Sequence, residues 1–185
     1  MVGMKKTIVI SVLTLFCLTT AMAQGQDPWV GTWTSESYRE IDYENSPKNS
    51  EGTFVEIIYT DYKKVFRITK NGEEYLVRGK TIKVNDPNYS SYHRPYTVTS
   101  INGNTMWLKS SVTKLPFRVN GQIDSYSDVT YYYKLTLTNG VLRYTYLSYH
   151  SVDYDKNMRF TGEEDYDASQ YSPRDYDLNL FSDDW

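Results

Sequence analysis

The chain has 185 residues, 39% hydrophobic, 23% charged and 16% aromatic, and 19 of its residues are tyrosine. That length suits one domain with a sizeable core, and the aromatic load with mixed-sign charge is unlike a disordered chain. The formal net charge of −3 offers no basic footprint, so no nucleic-acid partner is expected.

Residues 1–23 read as a secretory signal. Lys5 and Lys6 make a positive leader, residues 7–20 are an apolar run too short to span a bilayer comfortably, and Ala21-Met22-Ala23 is a small-x-small cleavage pattern. Removing 23 of 185 residues leaves 162, and with the two lysines gone 18 cations face 23 anions, a formal charge of −5. The lone cysteine, Cys17, leaves with the signal. The remaining domain, 24–185, therefore has no disulfide, thiolate metal site or cysteine nucleophile. It is expected to be exported, periplasmic or secreted from a Gram-negative cell, with no transmembrane segment.

The domain reads as strands joined by tight turns. Strands are expected at 29–37 and 53–60, and a hairpin pairs 62–69 with 73–78 across Asn71-Gly72. A strand at 80–84 follows, then a hairpin of 96–101 with 105–110 across Asn102-Gly103. A further Asn-Gly pair stands at 120–121. The strongest pattern lies around Asn139-Gly140, two residues that tolerate the positive φ of a type I′ turn. Before it, Val129, Tyr131, Tyr133, Leu135 and Leu137 alternate with Thr130, Tyr132, Lys134, Thr136 and Thr138. After it, Leu142, Tyr144 and Tyr146 alternate with Arg143, Thr145 and Leu147. Period two over such lengths marks strands with one buried face. Residues 151–177 are rich in Asp, Glu, Ser and Tyr and are expected to form a long acidic loop, and 177–181 a final edge strand. The fold class is all-β. Eight or nine sequential strands favour an antiparallel up-and-down β-barrel, with a β-sandwich as the alternative.

Trp29-Val30-Gly31-Thr32-Trp33 at the first strand resembles the Gly-x-Trp opening of lipocalins and the wider calycin group, and among these the lipocalin-like exported proteins of Bacteroidetes. The resemblance implies that Gly31 lets the chain bend, that Trp33 closes the barrel floor, and that Arg143 packs on that tryptophan. It also implies a small hydrophobic ligand inside the barrel. The usual lipocalin disulfide and C-terminal helix have no counterpart here.

Among candidate sites, Trp33, Tyr131, Tyr133, Tyr144 and Tyr146 would line an interior for a hydrophobic or ring-bearing ligand. Equally, tyrosine simply suits a half-buried pleated surface. Tyr132, Tyr89, Tyr92 and Trp107 could instead form an outward platform for sugar rings. Asp153, Asp155, Asn157, the Arg159 carbonyl and Glu164 fall at positions 1, 3, 5, 7 and 12 of an EF-hand calcium loop. Met158, however, stands where that loop needs positive φ, so a solvated acidic loop is the other reading. Calcium is the one cofactor the residues suggest. His93 and His150 have no nucleophile elbow or orienting acid in view, so no catalytic residue is assigned. The sequence thus points to a non-enzymatic binding protein for a small molecule or glycan. A carbohydrate- or protein-binding sandwich and a β-scaffold hydrolase are the alternatives.

Overall fold

The computed structural model describes residues 27–168 and 175–181. The proposed signal, 1–23, lies outside them. The chain divides into two compact units, residues 1–30 and Gly31–Trp185. In the first, the described residues 27–30 form a turn in which the Trp29 amide donates to Asp27 Oδ1 at 3.1 Å.

The second unit is all-β and antiparallel. Its described residues form eleven strands: β1 (Gly31–Ser35), β2 (Tyr38–Ile41), β3 (Tyr59–Asn71), β4 (Glu74–Lys83), β5 (Asp86–Tyr92), β6 (Thr97–Asn102), β7 (Thr105–Val119), β8 (Gln122–Thr138), β9 (Val141–Asp155), β10 (Phe160–Asp167) and β11 (Tyr176–Phe181). They run in one sheet in the order β5-β4-β3-β1-β11-β9-β8-β7-β6, with β10 added on β9 and β2 on β3. Between β4 and β6 there is no ladder, only a bridge between Val77 and Tyr96.

The Asn-Gly pairs all make hairpins, by two geometries. At Asn120-Gly121 and Asn139-Gly140 both residues have positive φ, the type I′ signature. At Gly72 and Gly103 only glycine does, because Asn71 and Asn102 are the last strand residues, paired with Glu74 and Thr105. The two-residue loop there begins at the glycine, as a type II′ turn requires.

Three expectations need correction. Residues 53–58 form no strand beyond a bridge of Phe54 to Lys48, and β3 starts only at Tyr59. The acidic segment is no loop over 151–167: β9 continues to Asp155, turns, and returns as β10, with Asp165 opposite His150 and Glu164 opposite Ser151. Alternating Tyr and Val with Asp and Glu satisfies a strand exposed on one face, so acidity alone did not mark a loop. Residues 169–174 lie outside the described residues. Finally, β11 is not an edge. It pairs with β1 on one side and β9 on the other, so Leu178 becomes fully buried.

One face of the sheet carries the core. Phe66 and Ile68 of β3, Val77 of β4, Met106 and Leu108 of β7, Leu135 of β8, Leu142 of β9 and Leu178 of β11 are all 1% exposed or less. Trp33 joins them at 2% exposure, opposite Phe66 and Leu180. Gly31 precedes it at φ +153°, and a Cβ there would come within 2.5 Å of Leu180.

Candidate functional site

Next to this aliphatic core lies a layer of rings. Tyr133 and Tyr144 stack with centroids 5.4 Å apart, Phe66 lies 4.8 Å from Tyr144, and the Tyr96 ring meets Tyr133 edge-on at 5.3 Å. Tyr146 and Tyr131 extend the layer, Tyr146 lying 5.5 Å from Tyr133 and 6.4 Å from Tyr131. Tyr131 with Tyr133, and Tyr144 with Tyr146, share a face through the period-two pleat, and Leu147 is an extra residue in β9: Tyr132 opposes Ser148 while Tyr133 opposes Tyr146. That bulge resets the pleat, so Tyr149 also comes opposite Tyr131.

A cavity of about 340 Å³ opens over these rings, lined by Lys64, Arg94, Ser110, Tyr131, Tyr133 and Tyr144, with Tyr92, His93 and Tyr96 at its side. Among the described residues no carboxylate lines it. Lys64 lies on the face of β3 that carries Phe66 and Ile68, and its ammonium sits 4.7 Å over the Tyr176 ring and 5.6 Å from that of Tyr38. Burial pushes its amine down to about 8. Ser110, 4% exposed, presents a buried hydroxyl that finds no hydrogen-bond partner. A buried polar atom left unpaired is costly and normally avoided.

His93 is fixed beside the cavity. Its Nε2 lies 2.9 Å from the Thr81 hydroxyl and its Nδ1 3.1 Å from the Tyr96 hydroxyl, which lies 3.4 Å from that of Tyr144. The ring sits directly over Gly79, where a Cβ would fall 2.4 Å from Nδ1. Burial, reinforced by the Lys64 charge, lowers His93 to about 4, so its imidazole is neutral near pH 7. Burial likewise raises Tyr96 and Tyr146 to about 12, and Tyr133 and Tyr144 well above the ordinary phenol value, so the hydroxyls are protonated. The chemistry on offer is two cations, several neutral donors and apolar ring faces. Among the described residues no carboxylate lies within hydrogen-bond reach of the imidazole to orient it as a base.

Tyr131, Tyr133 and Tyr144 thus line one cavity, and Tyr146 packs against it. Trp33 stands apart from the cavity lining, in the core. Arg143 corrects the lipocalin expectation. It lies on the opposite face of β9 from Leu142 and Tyr144, about half exposed, and its guanidinium donates twice to Asp177, at 2.7 and 3.0 Å. The residues missed were Lys64, His93, Tyr96 and Ser110. A lysine in phase with Tyr62, Phe66 and Ile68 was the available signal.

The calcium-loop residues spread along the β9–β10 hairpin. Asp153 Oδ1 accepts from the Ser127 hydroxyl at 2.6 Å, and Asp155 Oδ1 accepts the amides of Asn157 and Arg159 at 2.8 and 2.9 Å. Glu164 Oε2 accepts from the Tyr149 hydroxyl at 3.4 Å. The Arg159 carbonyl accepts from the Asp155 amide rather than facing into a loop. Met158 does take the positive φ, 62°, that its position demands. Among the described residues, no three His, Cys, Asp or Glu are grouped to hold a metal.

The outward aromatics also divide. Trp107 and Tyr132 share an outer face of β7 and β8, each 39% exposed. Tyr89 instead packs edge-on against Tyr62 and over the Lys83 ammonium at 4.4 Å. Among the described residues no helix is long and apolar enough to cross a membrane. Compared with protein-family profiles, curated proteins and solved structures, the chain matches none.

Proposed function

We propose that the protein is an exported, non-enzymatic binding protein that holds a small ring-bearing molecule in the cavity over Tyr131, Tyr133 and Tyr144. On this reading the sheet closes as a lipocalin-like, eight-stranded up-and-down barrel, β1-β3-β4-β6-β7-β8-β9-β11, joined at the Val77–Tyr96 bridge. Each of these strands neighbours the next in the sheet apart from that one junction, and the chain's outer strands β1 and β11 lie side by side. The observation that carries the reading is the Ser110 hydroxyl, buried without a partner in the wall of a ring-lined cavity. A ligand acceptor or donor supplies what the fold leaves unmade.

Native mass spectrometry of the protein from Gln24 onward, purified without chelators, tests this. An adduct released on denaturation, with a mass of a few hundred daltons, is expected. A bare chain that also fails to bind any ring-bearing probe would refute the reading. An adduct of calcium mass removed by Asp153→Ala would instead support the hairpin as a metal site. The outer Trp107–Tyr132 face favours a second reading, glycan binding, for which retention on glycan beads and its loss in Trp107→Ala is the measure.

A further inference from the structure

Building on the cavity reading, we infer that the ligand is a compact aromatic carboxylic acid, its anion drawn to Lys64 and the Ser110 hydroxyl and its ring laid on Tyr131, Tyr133 and Tyr144. Three independent features point there. First, among the described residues the cavity wall carries two cations, Lys64 and Arg94, and no carboxylate. The chain as a whole is net negative, so a cavity of one sign is opposite to what chance placement on this protein would give. Second, among the described residues no ion pair offsets the burial of the Lys64 ammonium. It rests on the rings of Tyr38 and Tyr176, which present π-faces and no negative charge. An entering carboxylate would supply the charge-assisted hydrogen bond that the rings cannot. Third, the Ser110 hydroxyl is ready to donate without giving up any existing partner.

The floor sets the size. Phe66, Met106, Leu108 and Leu135 fill the space beyond the tyrosines with no more than 1% exposure, so there is no channel for a long alkyl chain. A volume near 340 Å³ suits one or two fused rings with a short acidic arm. Arg94, exposed and 6.0 Å from the Tyr131 ring, stands at the entrance, where it steers an anion inward.

Indole-3-acetate and its uncharged near-isostere indole-3-acetamide separate this inference from the cavity reading beneath it. Isothermal titration of the protein from Gln24 onward should show the acid binding about ten-fold or more tightly than the amide. Lys64→Met should abolish that preference, because methionine keeps the apolar stem and removes the charge. Ser110→Ala, checked for folding by circular dichroism, should weaken the acid by about three-fold or more. Equal binding of acid and amide, or a preference that survives Lys64→Met, overturns the anion inference and leaves the cavity reading standing. Dodecanoate binding more tightly than indole-3-acetate overturns the compact ring-bearing ligand. Failure of both indoles to bind at about 5 mM brings down the cavity reading and the inference with it.

Discussion

Acidification from pH 7.5 to 4.5 should destabilise the fold through His93. Its imidazole is held neutral between the Thr81 and Tyr96 hydroxyls, with the Lys64 ammonium nearby and the Phe66 ring 5.6 Å away. Unfolding releases it to its ordinary value of 6.5 from about 4, so the unfolded chain binds the extra proton first. A histidine with a lowered folded value contributes stability that is complete above 6.5 and is lost as the pH falls towards 4. At 1.36 kcal/mol per unit the limit is about 3 kcal/mol. By pH 4.5, with an allowance for the ring's residual exposure, about 2 kcal/mol is expected. On a domain of this size that lowers the melting temperature by roughly 4–8 °C. Thermal unfolding of wild type and His93→Gln at matched pH isolates the effect, since glutamine can still bond Thr81 and Tyr96 but does not titrate. Asp42, held well below the carboxylate range by its bonds to Asn45 and Lys83, loses its contribution only below about pH 4 and does not enter this window. The reasoning fails if His93→Gln shows the same decline between pH 7.5 and 4.5 as the wild type.

Lys64→Met should stabilise the ligand-free protein by about 2 kcal/mol at pH 7, the cost of desolvating the ammonium less its contacts with Tyr38 and Tyr176. Because its folded value is lowered from 10.5 to about 8, the gap to wild type should close as the pH rises from 8 to 10, measurable by urea unfolding. Asp42→Ala leaves the Lys83 ammonium, 2.9 Å from Asp42 Oδ2, covered and without its main partner. The pair lies at the sheet rim, with Glu44 a further 3.7 Å neighbour, so the loss is set at about 2 kcal/mol, below that of a deeply buried pair, with chemical denaturation as the readout. Gly79→Ala should cost about 1–3 kcal/mol, because its Cβ would meet His93 Nδ1 at 2.4 Å and Phe66 Cε1 at 3.1 Å. A smaller loss of stability on acidification should accompany it, as His93 is pushed out of its hydroxyl cradle, and unfolding curves at two pH values check both.

Local chemistry alone determined much of this protein. Period-two alternation over 129–147 and the Asn139-Gly140 turn specified a hairpin and put Tyr131, Tyr133 and Tyr144 on one face, because pleat and turn geometry depend only on neighbouring residues. All-β class followed from the same rules. What depends on distant residues was decided by the tertiary structure. The placement of β11 between β1 and β9 and the outward turn of Arg143 towards Asp177 are pairings across long stretches of chain, which no local pattern encodes. The Leu147 bulge is of the same kind, since an extra residue shows itself only against the partner strand. So is the cavity: Lys64, His93 and Ser110 come from separate strands and loops, and each looks ordinary in its own sequence window. Only packing reveals that the amine lacks a carboxylate and the hydroxyl lacks a partner, because burial and hydrogen-bond satisfaction are properties of the assembled fold.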